Sequence, residues 1–104
     1  MSGGNMSNFY EEGRILGIEL GQRNGTVRQD AAGAMTDEQN LDFINGIMDG
    51  VEEAKAALKG IRVSQEILML LRNSPLSGPN DTYRGVRFAL DQSYFPNVLY
   101  EFEV

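Results

Sequence analysis

The stretch Thr36–Gly60 reads TDEQNLDFINGIMDGVEEAKAALKG. Its first four residues, Thr36-Asp37-Glu38-Gln39, have the form of a capping box. In that arrangement the Thr36 hydroxyl accepts from the amide of Gln39, and the Gln39 side chain reaches back to the amide of Thr36. A long helix is therefore expected from Asp37. Its apolar stripe runs Leu41, Ile44, Ile47, Met48, Val51, Ala54 and Leu58, on one face of a 3.6-residue period. Lys59 complements the negative end of the helix dipole and Gly60 can take the left-handed position that ends a helix, so the element is expected over 37–59.

Toward the N-terminus, residues 23–35 mix Gly, Asn, Asp and Ala without a period and read as a loop. Before them Phe9, Leu16 and Leu20 share a face, with Gly13 and Gly17 beside it and Glu11, Glu12 and Glu19 elsewhere, which favours a first helix over about 8–22. Interior glycines weaken that helix by about 1 kcal/mol each. A competing reading makes Arg14–Leu20 a strand that turns at Asn24-Gly25 into Thr26–Gln29, because Asn-Gly is a strong hairpin signal. Residues 1–7 are small and polar and read as a flexible tail.

Toward the C-terminus, Ser64 can cap a short third helix over 64–73 that carries Ile67, Leu68, Leu70 and Leu71 and stops at Asn73-Ser74-Pro75. Ser74–Asp81, rich in Ser, Pro, Gly and Asn, reads as a connection. The period then changes to two. Val86, Phe88 and Leu90 alternate over 84–90, and Val98, Tyr100, Phe102 and Val104 alternate over 98–104. These two runs read as an antiparallel hairpin closed by 91–97, with Tyr94 and Phe95 exposed at its tip and Phe88, Tyr100 and Phe102 in the core.

The expected fold is a single α+β domain over 8–104, three helices followed by a C-terminal β-hairpin. An isolated two-stranded hairpin is marginal in water, so it must lie on the helices or gain strands from another chain. That requirement is the physical argument for self-association.

Composition narrows the chemistry. The 104 residues include neither histidine nor cysteine, which removes the commonest general base, the thiolate metal sites and the Ser/His/Asp and Cys/His nucleophile systems. Without cysteine or a signal-peptide pattern, a cytoplasmic, reducing location is expected. A net charge of −6 opposes attraction to nucleic acid or an anionic membrane, so neither is expected as a partner. Residues 52–104 carry six bases against seven acids, so a basic contact surface would lie in that half.

Asp42, Asp49, Glu52 and Glu53 could be imagined as oxygen ligands for a divalent cation, but Asp42, Asp49 and Glu53 fall opposite the apolar stripe, where a solvated face needs charge anyway. No cofactor and no metal is expected. Gly13, Gly17, Gly21 and Gly25 recur every four residues, and Gly46, Gly50 and Ala57 make a similar strip on the long helix. Such strips let two backbones approach closely, within one chain or between chains.

Gly25, Arg23 and Arg28 could offer an amide and guanidinium groups to an anion such as a nucleotide phosphate, though the ending of a P-loop is absent. Arginine and aromatic residues characterise interface centres, which singles out Tyr94, Phe95, Arg84, Arg87 and Leu99 with Gly46 and Gly50 as expected contacts. The function expected is thus a non-enzymatic assembly protein that self-associates through the long helix or the hairpin. An inhibitor or adaptor docking on one target, and a small anionic-ligand binder, are the alternatives.

Overall fold

A computed structural model describes residues 8–30, 36–90 and 98–104, without the side chains of Gln29, Asp30, Val98 and Leu99. The tail expected over 1–7 and the loop tip at Tyr94 and Phe95 lie outside the described residues. The elements are α1 (Asn8–Arg23), β1 (Thr26–Asp30), α2 (Asp37–Glu53), β2 (Gly60–Val63), α3 (Gln65–Arg72), β3 (Ser77–Gly78), β4 (Thr82–Tyr83), β5 (Val86–Leu90) and β6 (Val98–Glu103). They form two compact units, one built on α1 and α2 and the other on the strands with α3.

In the helical unit the capping box is present as expected. Gln39 donates its amide to the Thr36 hydroxyl at 3.1 Å and the Gln39 carboxamide accepts from the Thr36 amide at 3.0 Å. Phe43, Ile44, Ile47, Met48 and Val51 are buried on α2. The helix ends at Glu53 rather than at Lys59. Its stop is a Schellman motif: Lys55 donates its amide to the Glu52 carbonyl at 2.9 Å and Ala56 to the Val51 carbonyl at 3.1 Å. Lys55 itself holds the left-handed conformation, at φ 60°, where glycine is usual. With no glycine there, the sequence carried no punctuation to mark the end, and Lys59-Gly60 drew the boundary too far. Lys55→Gly is expected to raise stability by about 0.5–1 kcal/mol, because relief of left-handed strain exceeds the added entropy of the unfolded chain. A higher denaturant midpoint at unchanged slope would show it.

Of the two readings of the first segment, the helix is the one formed, and it runs to Arg23. Asn24, at φ 55°, donates its amide to the Leu20 carbonyl and terminates α1. Asn24-Gly25 is therefore a helix stop. The strand that follows it, β1, does exist, but it pairs with β6 and not with 14–20.

The second unit corrects the hairpin. The strand order is β1-β6-β2-β5-β4-β3, a mixed six-stranded sheet. Both predicted C-terminal strands are present, but β2 lies between them, parallel to β5 (Ile61 beside Phe88) and antiparallel to β6 (Ile61 beside Phe102). β1 flanks β6 on its other side, with Val27 beside Phe102. Ile61-Arg62-Val63 was too short a run to outweigh the helix ending placed on Lys59-Gly60. β3, inside the expected connection, forms a small hairpin with β4 just after it, and β4 turns into β5 through Arg84 and Gly85, both at positive φ (53° and 85°), as a type I′ turn requires.

Alternation places Val27, Ile61, Val63, Phe88, Tyr100 and Phe102 on the buried face, with the Tyr100 and Phe102 rings edge to face at 5.7 Å. α3 packs against β2, β5 and β6, burying Ile67, Leu68 and Leu71. Ser64 holds the cap position of α3 with extended backbone, but its hydroxyl makes no cap bond and is buried without a hydrogen-bond partner among the described residues. Arg72 closes the far end through paired 2.9 Å bonds to the Asp81 carboxylate. That guanidinium holds Asp81 below the usual carboxylate range.

Tyr100 is fully buried, and loss of hydration pushes its hydroxyl well above the ordinary tyrosine value. The unfolded chain ionises this group near pH 10 while the folded chain keeps it neutral. Stability is therefore complete below about pH 10 and falls above it, by about 1.4 kcal/mol per pH unit for this one group. Urea midpoints measured across alkaline pH should show that decline, and Tyr100→Phe should make it shallower.

Candidate functional site: the open face of the sheet

Opposite the buried face, the same alternation presents Thr26 and Arg28 from β1, Glu101 and Glu103 from β6, Gly60 and Arg62 from β2, and Arg87 and Ala89 from β5. The strand registers set these in rows. Arg28, Glu101, Arg62 and Ala89 stand side by side across four strands, and Thr26, Glu103 and Gly60 form the next row. The Glu101 carboxylate on β6 is thus flanked by guanidinium groups, with Arg28 Nε 3.8 Å from Glu101 Oε2. Opposite charges placed across strands contribute about 0.2–1 kcal/mol per pair. Part of this pattern is what any solvated sheet face needs.

The face also has relief. Gly60 carries no side chain, and the nearest atom to a Cβ built there is the Arg87 carbonyl oxygen at 3.8 Å. With Ala89 beside Arg62, the two smallest residues on β2 and β5 leave a depression of about 340 Å³ lined by Lys59, Arg62, Arg87, Glu101 and Glu103 around them. Three cations and two carboxylates give it a surplus of positive charge.

The expected contact residues are distributed as follows. Arg87 lines the depression. Arg84 sits in the β4–β5 turn, half-buried, its amide donating to the Leu76 carbonyl at 3.1 Å. The backbone of Leu99 belongs to β6. Gly46 and Gly50 are buried within the helical unit, so the surface they would have offered to another chain is taken by α1.

A Cβ at Gly46 would fall on the Tyr10 carbonyl oxygen and 2.9 Å from the Arg14 amide nitrogen; one at Gly50 would fall on the Arg14 carbonyl oxygen and 2.7 Å from the Ile18 amide nitrogen. Gly13 and Gly17 meet the carbonyls of Phe43 and Ile47 in the same way, and Gly21 meets Ala54. Residue numbers rise together on both helices, so α1 and α2 run in the same direction.

Of the anion-site residues, Arg23 is exposed at the end of α1, Gly25 lies in the bend after it, and Arg28 faces Glu101 on the sheet. The acidic side of α2 is engaged by α1. The Tyr10 hydroxyl donates to Asp49, which together with burial raises its pKa, and Arg14 Nη1 donates to Glu53 at 2.9 Å while its other nitrogens hold Glu11. No group of three or more carboxylates among the described residues could hold a metal ion.

Sequence reasoning reached Arg87 but missed Lys59, Gly60, Arg62, Ala89, Glu101 and Glu103 as a group, because their proximity depends on β2 entering between β5 and β6. The available signal was the short alternation of Ile61 and Val63 around Arg62 immediately after a glycine. No helix among the described residues is long and apolar enough to cross a membrane. The chain matches no family model, no curated protein and no solved structure.

Proposed function

We propose that the chain is a non-enzymatic protein-binding component, acting in a reducing intracellular compartment, that assembles with copies of itself. The observation that carries this reading is the charged depression at Gly60, held on regular strands on the face of the sheet opposite its buried residues. A contact surface on strands has a preorganised backbone, so the ordering entropy that opposes binding there is that of its side chains.

Charge is also divided between the two units, which supports association between copies. The described helical residues carry Glu11, Glu12, Glu19, Asp37, Glu38, Asp42, Asp49, Glu52 and Glu53 against Arg14, Arg23 and Lys55. The described sheet residues carry Asp30, Glu66, Asp81, Glu101 and Glu103 against Arg28, Lys59, Arg62, Arg72, Arg84 and Arg87. The net negative charge of the chain therefore belongs to the helical unit.

The hairpin no longer supplies an argument for self-association, since its strands find partners in their own chain. A small anion is a weaker fit to the depression, because Glu101 and Glu103 line it too. Light scattering of the purified chain over a range of concentrations tests the reading. A mass that rises with concentration supports assembly, and a monomer throughout moves the weight to a single heterologous target.

A further inference from the structure

We propose that the depression over Gly60 receives the outward stripe of α1 from a second copy, so that copies associate head to tail. This rests on the self-association proposed above and names the surfaces that carry it. Glu12, Ile15 and Glu19 follow one another at spacings of three and four and form a line along α1. All three are exposed; Ile15 is 47% exposed, one of the few large apolar side chains among the described residues that are. Glu11 and Glu53 are held by Arg14, but neither Glu12 nor Glu19 forms an ion pair with another described residue.

The receiving surface matches that stripe in charge and in spacing. Glu12 and Glu19 lie about 10 Å apart along a helix. Arg62 and Arg87 are offset by two residues along the strands and one strand across, a separation of about 8 Å between backbones, which long side chains readily extend. Between them the floor is Gly60 and Ala89, which leaves room for one branched apolar side chain, and Ile15 occupies the corresponding position between the two carboxylates.

Lys59 adds a third cation at the edge. Glu101 and Glu103 line the β6 side of the depression and repel an acidic helix from it, confining the helix to the β2–β5 side. The contact joins unlike surfaces, an acidic helix stripe on one copy and a cationic depression on the other, because two acidic helical units repel each other.

The test uses the full chain in sedimentation and light scattering at low and high salt, with Arg62→Glu/Arg87→Glu and Glu12→Arg/Glu19→Arg as charge-reversed forms. All four positions are exposed, and thermal melts check that both variants fold. The wild-type mass is expected to rise with concentration at low salt and to fall with added salt. Each double variant alone should associate at least about 100-fold more weakly, since like charges brought together cost several kcal/mol. Mixing the two variants should restore association, because each then meets its complement.

A wild-type oligomer unaffected by either variant would overturn the head-to-tail assignment and leave self-association standing. Loss of association in both variants without recovery on mixing would also overturn it. A wild-type chain that stays monomeric at every concentration would remove self-association itself.

Discussion

Gly50→Ala is expected to destabilise the chain by about 1–3 kcal/mol, the typical cost of overpacking a filled contact. On an exposed helix the same substitution stabilises by about 1 kcal/mol, so the sign alone is diagnostic. The physical reason is the parallel contact of α1 and α2. An added methyl at Gly50 would occupy the position of the Arg14 carbonyl oxygen and lie 2.9 Å from Gly17 Cα. Backbone cannot swing aside as a side-chain tip can, so the helices must separate along their length. Once they have, Gly17→Ala meets less resistance, and the double variant should lose less than the sum of the singles. Gly60→Ala is the control, since its added Cβ finds nothing closer than 3.8 Å. Chemical denaturation of the four variants measures all of this. A Gly50→Ala chain as stable as the parent would mean that the helices do not meet through these residues.

The close approach of α1 and α2 was legible in the sequence as glycines repeating at four-residue intervals on two segments, and Gly13, Gly17, Gly46 and Gly50 do meet, whereas Ala57 of the expected strip lies exposed beyond the end of α2. Their meeting within one chain was not legible, because the repeat specifies a smooth surface and says nothing about which surface lies opposite. Gly25 belonged to the numerical series but sits past the helix end, where Asn24 has already taken the left-handed conformation. Periodicity extrapolates through a helix stop unless the stop is recognised.

The sheet was partly legible for a related reason. The alternation at 98–104 identified Tyr100 and Phe102 as core residues, and both are fully buried. Pairing is a different kind of information, because two adjacent runs of period two suggest a hairpin by default. Here a four-residue strand from the middle of the chain enters between them, and its parallel alignment with β5 follows from the return through α3. β2 is short, begins at a glycine and includes an arginine, so its own pattern is weak. The charged depression inherits that difficulty: each of its residues is visible in the sequence, but their adjacency is a product of the topology.

That topology has a direct mechanical consequence in β6, where Glu101→Pro is expected to cost more than about 3 kcal/mol and to leave little folded chain. Most domains have only about 5–15 kcal/mol in total. Successive amides of a strand point to opposite sides, so of Glu101 and Phe102 one is directed to β1 and the other to β2, and both strands are paired there. A terminal strand of a two-stranded hairpin would have tolerated proline at every second position, where the amide faces solvent. In this sheet neither position is tolerant. Glu101→Ala isolates the backbone effect, because it removes the carboxylate from the half-exposed face and keeps the amide. Phe102→Ala serves as the corresponding packing control for Phe102→Pro. Circular dichroism and denaturant titration of the two proline variants beside their alanine controls should show a large excess loss at both positions. A proline tolerated at either one would mean that β6 is an edge strand, and the open face built around Gly60 would lose the neighbour that completes it.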